Sequence, residues 1–149
     1  MPNAVKPIPE GYSTVTPYLM PEDADRLIRF LQEAFDAELL GRHESPDGRM
    51  MHASLQIGDS KVMMGEAAEE WPAMPAMLHL YVEDVDAVFR QAIAAGGRAI
   101  REPEDQFYGD RSGGLVDPAG NQWWITTHIE DVSPEEMERR MAGMSGAQG

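Results

Sequence analysis

The sequence predicts an α+β protein: two βαβββ modules whose curved mixed sheets surround a cleft, followed by a short C-terminal helix. Two observations carry that prediction. The first is an internal echo, in which Tyr18–Ala34 (YLMPEDADRLIRFLQEA) matches the stretch that begins at His79. One offset, position 19 onto 80, makes Leu19/Leu80, Glu22/Glu83, Asp23/Asp84, Asp25/Asp86, Arg29/Arg90 and Ala34/Ala95 identical. It keeps Leu27/Val88 and Ile28/Phe89 apolar and lays Val62-Met63-Met64 on Trp123-Trp124-Ile125. A repeat of this length signals a duplicated unit. The second observation is that each copy passes from strand alternation to a helical period and then to three further strand-like runs. Half the chain would bury too little apolar surface to stand alone, so the copies should share a core.

In order, residues 1–12 carry Pro2, Pro7 and Pro9 without an apolar period and read as an irregular arm. Residues 13–66 form the first module. A strand is expected over Thr14–Met20, and Asp23 is the N-cap of a helix burying Ala24, Leu27, Ile28, Leu31, Ala34 and Phe35. Strands follow at Glu38–Glu44, Met50–Ile57 and Lys61–Gly65, parted by the turn compositions SPDG and GDS. Residues 67–76 are a linker stiffened by Pro72 and Pro75. Residues 77–132 repeat the plan: a strand over Met77–Val82, Asp84 as N-cap, a helix burying Val85, Val88, Phe89, Ala92 and Ile93, and Gly96-Gly97 to end it. Strands are expected at Arg98–Glu102, Arg111–Val116 and Gln122–Thr127. In 133–149, Ser133-Pro134-Glu135-Glu136 opens a short helix as a capping box with proline at its first position, and the tail from Gly143 is expected to fray.

The formal charge of -14 argues against nucleic acid as a partner, because phosphate backbones are bound through clustered Lys and Arg. It favours a cationic small ligand, or simply keeps the protein soluble. There is no cysteine, hence no disulfide or thiolate chemistry. No apolar run approaches the ~20 residues that span a bilayer, and no secretory signal opens the chain. The expectation is a soluble, cytoplasmic protein without a membrane partner.

Alternation divides each strand into two sets. Leu78, Leu80 and Val82 should pack under the second helix, with Met77, His79 and Tyr81 on the other face. The offset transfers this to Val15, Pro17 and Leu19 under the first helix, with Thr16, Tyr18 and Met20 opposite. Trp123 and Ile125 should pack inward while Gln122, Trp124 and Thr126 face away, and Met63 is the counterpart of Trp124. A face rich in Met, Tyr and Trp suits the wall of a small-molecule groove, although a sheet-on-sheet core or a dimer interface has the same composition.

With this duplication, and with VTPYL at Val15–Leu19, EDAD at Glu22–Asp25, HLYVEDVD at His79–Asp86, FYGDR at Phe107–Arg111 and DPAGN at Asp117–Asn121, the chain resembles the vicinal oxygen chelate superfamily. That superfamily includes glyoxalase I, bleomycin-resistance proteins and extradiol dioxygenases, and the likeness is greatest to its PhnB-like, glyoxalase/bleomycin-resistance branch. It covers about Ser13 to Val132. The resemblance implies the glyoxalase/bleomycin-resistance/dihydroxybiphenyl dioxygenase-like fold, as a single domain with ligand held between modules. It also implies a homodimer, on no other warrant. In metal-dependent members four His or Glu ligands come from the first and last strands of each module. Here those positions align with Thr16, Met63, Met77 and Trp124, which are poor or impossible ligands for a catalytic divalent ion. The site therefore reads as metal-free, with no cofactor.

His79 is the one candidate catalytic residue, as a general base or a hydrogen-bond partner for ligand, though a histidine satisfied in a polar core network fits equally. Tyr18 and Tyr81 can stack or donate hydrogen bonds. Phe107, Tyr108 and Arg111 lie near the expected cleft rim, where Arg111 would clamp an anionic group or pair with Asp105 or Asp110. His43, His52 and His128 receive no role. The candidate ligand-binding set is thus Thr16, Tyr18, Met20, Met63, Met77, His79, Tyr81, Phe107, Tyr108, Arg111 and Trp124. Two functions remain open. One is a protein that binds a small aromatic or cationic molecule, as the superfamily's resistance proteins do. The other is an enzyme: a metal-dependent lyase, isomerase or dioxygenase with unusual ligands, or acid–base chemistry at His79.

Overall fold

The computed structural model describes residues 4–147. The first unit comprises β1 (Tyr18–Leu19), α1 (Ala24–Phe35), β2 (Glu38–Glu44), β3 (Met50–Ile57) and β4 (Ser60–Met64). The second comprises β5 (Met77–Tyr81), α2 (Val85–Ala94), β6 (Arg98–Asp105), β7 (Asp110–Val116) and β8 (Gln122–His128), and α3 (Pro134–Ala147) closes the chain. The two sheets run β1-β4-β3-β2 and β5-β8-β7-β6, with the pairs β1–β4 and β5–β8 parallel.

The sequence offset persists in the bonding. Asp23 Oδ1 accepts from Arg26 N (3.1 Å) and Asp84 Oδ1 from Ala87 N (3.2 Å). One residue on, Ala24 N donates to the Glu66 carboxylate (3.0 Å) and Val85 N to the Thr127 hydroxyl (2.8 Å), the acceptors again one offset apart. These side chains satisfy N–H groups that the helix itself leaves without partners. Register agrees as well: Leu19 lies opposite Met64, and Leu80 opposite Ile125.

Helix α1 is buried on two sides. Ala24, Leu27, Leu31 and Ala34 join Ala53, Leu55, Val62 and Met64 of the first sheet in one core. Toward the second sheet, the Phe35 ring lies 4.9 Å from that of Trp123, and Phe30 and Leu115 both close on Gly97. Gln91 of α2 donates to Glu33 O (2.8 Å) and Asp36 Oδ1 (3.2 Å) at the end of α1. The helices therefore form a shared layer between the sheets, and the opposite face of each sheet points outward.

Trp123 is held by Asp117. This buried carboxylate accepts from Ala119 N (2.8 Å), Asn121 N (3.0 Å), Asn121 Nδ2 (3.0 Å) and Trp123 Nε1 (2.8 Å). Asn121 Oδ1 in turn accepts from Ala76 N (2.8 Å), which fixes the start of β5. A buried donor left unpaired costs about 1–3 kcal/mol, so Asp117 supports the turn, the tryptophan and the linker together.

Strand ends move by a residue in several places, Ile93, expected on the buried face of α2, is 36% exposed, and three elements differ more. β1 is two residues long rather than Thr14–Met20, because Pro17 has no N–H and the ladder starts only at its carbonyl, which accepts from Met63 N (2.9 Å). Val15 is consequently 82% exposed instead of lying under α1. β6 runs on to Asp105 through Pro103, which an edge strand with a register shift tolerates. α3 continues past Gly143 to Ala147; Ser133 Oγ accepts from Glu136 N (3.2 Å), and Glu136 pairs with Arg139 and Arg140 along the helix. Pro2 of the irregular arm lies outside the described residues.

A clasp ties β8 to the segment before α3: His128 Nδ1 bonds Asp110 and Nε2 bonds Asp131, each at 2.7 Å. Hydrogen bonding to Asp110, then to Asp131, raises the His128 pKa above 6.5. A raised folded-state pKa contributes stability that is fully present below about pH 6.5 and lost as pH rises through the folded value. The imidazole should titrate above pH 6.5 by NMR. The urea midpoint of the wild type should fall relative to that of His128→Gln as pH rises through that value; a midpoint at or below 6.5, or parallel pH profiles, would contradict the clasp.

Candidate ligand-binding site

Parallel pairing sets Tyr18 beside Met63 and His79 beside Trp124 on the outward sheet faces, since their neighbours Leu19, Met64 and Ile125 point into the core. On the first sheet, Tyr18 Oη lies 3.5 Å from His52 Nδ1, and His52 Nε2 lies 3.2 Å from Ser54 Oγ. The His43 ring stacks beyond, 6.5 Å from His52.

A cavity of about 560 Å³ opens next to Tyr18, lined by Tyr18, Met20, Arg49, Met51, Gly65, Glu66, Trp71, Pro72 and Met74. Each wall has a local cause. The pairing of β2 with β3 slips between His43 and Glu44, so Met50 enters the core while Met51 stays 53% exposed. Gly65 forms the floor because it has no side chain: a Cβ there would lie 2.8 Å from Tyr18 Oη and 3.0 Å from Met51 O. The linker supplies the rest. A turn between Ala68 and Trp71, then a bridge from Met74 N to Met20 O (3.1 Å), folds it back over β1. Trp71 and Met74 remain 66% and 64% exposed at the cavity mouth.

His79 and Tyr81 line a separate groove of about 830 Å³ with Phe35, the Ile57–Ser60 turn and the start of α2. Their rings lie 4.9 Å apart. Trp124 lies flat on Gly114, with the Arg101 guanidinium 5.0 Å from its ring. Met77 is 70% exposed beside Gln122. Thr16 sits in the arm ahead of β1, its hydroxyl donating to Ser13 O (3.4 Å). Phe107 and Tyr108 form the β6–β7 turn, where Phe107 O accepts from Arg140 Nη1 (2.8 Å). Arg111 is engaged on the α2 side, by both oxygens of Asp86 and by Asp105, all at 3.0 Å. Its hydrogen bonds hold the Asp86 carboxyl below the usual range. The structure thus joins Tyr18 and Met20, with Met63 alongside, and joins His79 and Tyr81, but does not bring the eleven candidates together in one chain.

Residues that sequence reasoning passed over fill the gap. Trp71 and Met74 fall in the segment that reads as linker, although two large apolar side chains in so acidic a stretch are a usable signal. His52 gains its neighbour only through β-pairing.

The donor chemistry does not fit a divalent ion, either at Thr16, Met63, Met77 and Trp124, the positions aligned from the sequence, or at the level that pairing sets opposite Met63 and Trp124, where Tyr18 and His79 replace Thr16 and Met77. That level holds a phenol, a thioether, one imidazole and an indole, and among the described residues no three His, Cys, Asp or Glu side chains converge. Among the described residues, no helix is long and apolar enough to cross a membrane.

The model of the Glyoxalase/Bleomycin resistance protein/Dioxygenase superfamily matches residues 14–125. The chain belongs to this superfamily. It is 34% identical over 139 residues to the uncharacterized protein Mb0911c of Mycobacterium bovis, spanning 86% of this chain and 91% of that one. Among solved structures it is similar to TioX from Micromonospora sp. ML1, with TM-score 0.68, 28% identity, and 78% and 99% of the two chains covered. A PhnB protein from Bacillus cereus shares the fold, with TM-score 0.63, 22% identity, and coverage of 77% and 99%. Superfamily membership fixes the fold and leaves the chemistry to the site.

The floor of the cavity is directly testable. Gly65→Ala forces the Tyr18 phenol or the Met51 carbonyl to move and should cost roughly 1–3 kcal/mol in urea unfolding. A loss under about 0.5 kcal/mol, the range of an ordinary surface change, would show that the floor is not close-packed.

Proposed function

We propose that this protein binds a small, flat aromatic molecule without a metal and acts as a cytoplasmic binding protein rather than a metalloenzyme. The observation that carries this reading is the cavity beside Tyr18, whose walls are methionine and aromatic surface. Exposed large apolar side chains that face a common hollow indicate a binding site more than a bare surface. Tyr18 and Trp71 offer ring faces, while Met20, Met51 and Met74 adapt their shape to a planar guest. The net charge of -14 draws cations to the protein from a distance, which helps a cationic aromatic as much as it hinders an anionic one.

Pairing of two copies completes the site in this reading. The sheet faces turned away from the helices leave Met77 and Tyr81 70% and 67% exposed. A second chain would cover them, and would bring its His79, Tyr81 and Trp124 over the first chain's Tyr18 and Met63. His79 then serves as a ring surface and hydrogen-bond partner.

The test is calorimetric titration with 2-naphthol in the presence of a chelator, alongside thermal unfolding. Saturable binding that raises Tm, persists with chelator, and weakens at least tenfold in Trp71→Ala is expected. Absence of saturable binding, or binding only after a divalent metal is added, contradicts the proposal.

A further inference from the structure

The apolar cavity is not uniformly apolar, and its two charged residues define what its guest must carry at one edge. Arg49 and Glu66 both line it. They are held by neighbours yet not spent on each other. Arg49 Nη1 donates to the backbone carbonyl of Glu66 (3.1 Å), and no carboxylate of the described residues lies within 4.0 Å of its guanidinium nitrogens. Arg42, Arg101, Arg111, Arg139 and Arg140 each have a carboxylate partner, whereas Arg26, Arg29, Arg90 and Arg98, like Arg49, have none among the described residues; those four are exposed, and Arg49 is half-buried at the cavity. Glu66 commits one oxygen, Oε2, to Ala24 N at the start of α1 (3.0 Å), and its other oxygen has no hydrogen-bond partner among the described residues. Backbone anchors on both sides therefore fix a guanidinium and a carboxylate at the same cavity, each with bonding capacity left over.

From this geometry we infer that the cavity recognises a flat aromatic body whose polar edge is neutral and presents a hydrogen-bond acceptor to Arg49 beside a donor to Glu66, as an aromatic amide or lactam does. This rests on the binding reading above and narrows it. A carboxylate ligand would gain Arg49 but meet the Glu66 charge. An ammonium would gain Glu66 but meet Arg49. A neutral edge with both functions uses both residues and meets no like charge. Glu69 and Glu70, which line a small hollow together with Arg49 and Trp71, add to the penalty for an anion. The recognition residues all belong to the first unit and the linker, so this part of the site is complete within one chain.

The experiment compares four ligands on one scaffold by titration calorimetry: 2-naphthamide, 2-naphthoate, 2-naphthylmethylammonium and 2-methylnaphthalene. The amide should bind at least tenfold more tightly than each of the other three. Arg49→Ala should remove most of that preference while leaving 2-methylnaphthalene within about threefold of wild type. Glu66→Gln keeps an oxygen for Ala24 N and removes the charge, and should raise affinity for 2-naphthoate severalfold. Equal binding of all four compounds, or preference for either ion, overturns the inference about the polar edge while the aromatic cavity stands. Failure of every naphthalene to bind overturns both. The wild-type series decides the question even if a variant does not fold.

Discussion

A helix that is apolar on two sides cannot be left at a surface, and α1 is such a helix, with Phe30 and Phe35 facing the second unit and its other buried residues facing the first. Placing it between the sheets satisfies both sides and sets everything else. The sheets cannot close on one another within a chain, so their other faces turn outward and carry the aromatic and methionine side chains that elsewhere would make a core. Trp123 is the keystone of that contact, and the Asp117 carboxylate that receives its indole N–H also shapes the turn and, through Asn121, the beginning of β5. One short polar knot thus fixes the docking of the two units and the exit of the linker.

The linker is where fold becomes site. It leaves the first sheet at Gly65–Glu66, turns at Ala68–Trp71, and returns along Met20 before entering the second unit. That return lays Trp71, Pro72 and Met74 over a floor made of glycine. Glu66 connects the two roles, because the carboxylate that satisfies the first N–H of α1 also borders the cavity. A residue that begins the helix would thereby also serve the proposed ligand.

Much of the fold was legible because it is written twice. Asp23 and Asp84 announce helix starts in any register, and the offset carried the inward set of one unit onto the other, correctly for Leu19 and Leu80. It failed for Val15, where Pro17 interrupts the ladder and alternation loses its meaning. The site was less legible. Tyr18 and Met20 follow from strand alternation, but Met51 reaches the cavity through a slip in pairing that no local pattern encodes. Trp71 and Met74 reach it through a chain reversal, and Arg49 and Glu66 through contacts between distant segments. Arg111 was legible in part: of the two readings, anion clamp or carboxylate pair, the pair with Asp105 is present, but its bidentate partner is Asp86, twenty-five positions earlier, which no local pattern names.

The central claim is that a flat guest lodges beside Tyr18 without help from a metal. Its most direct test is methyl NMR of the protein's 11 methionines during addition of 2-naphthol in metal-free buffer. Ring-current shifts should appear first and largest at Met20, Met51 and Met74, with the buried Met50 and Met64 scarcely moved. Shifts that bypass those three methyl groups, or that appear only once a divalent ion is supplied, would contradict the account.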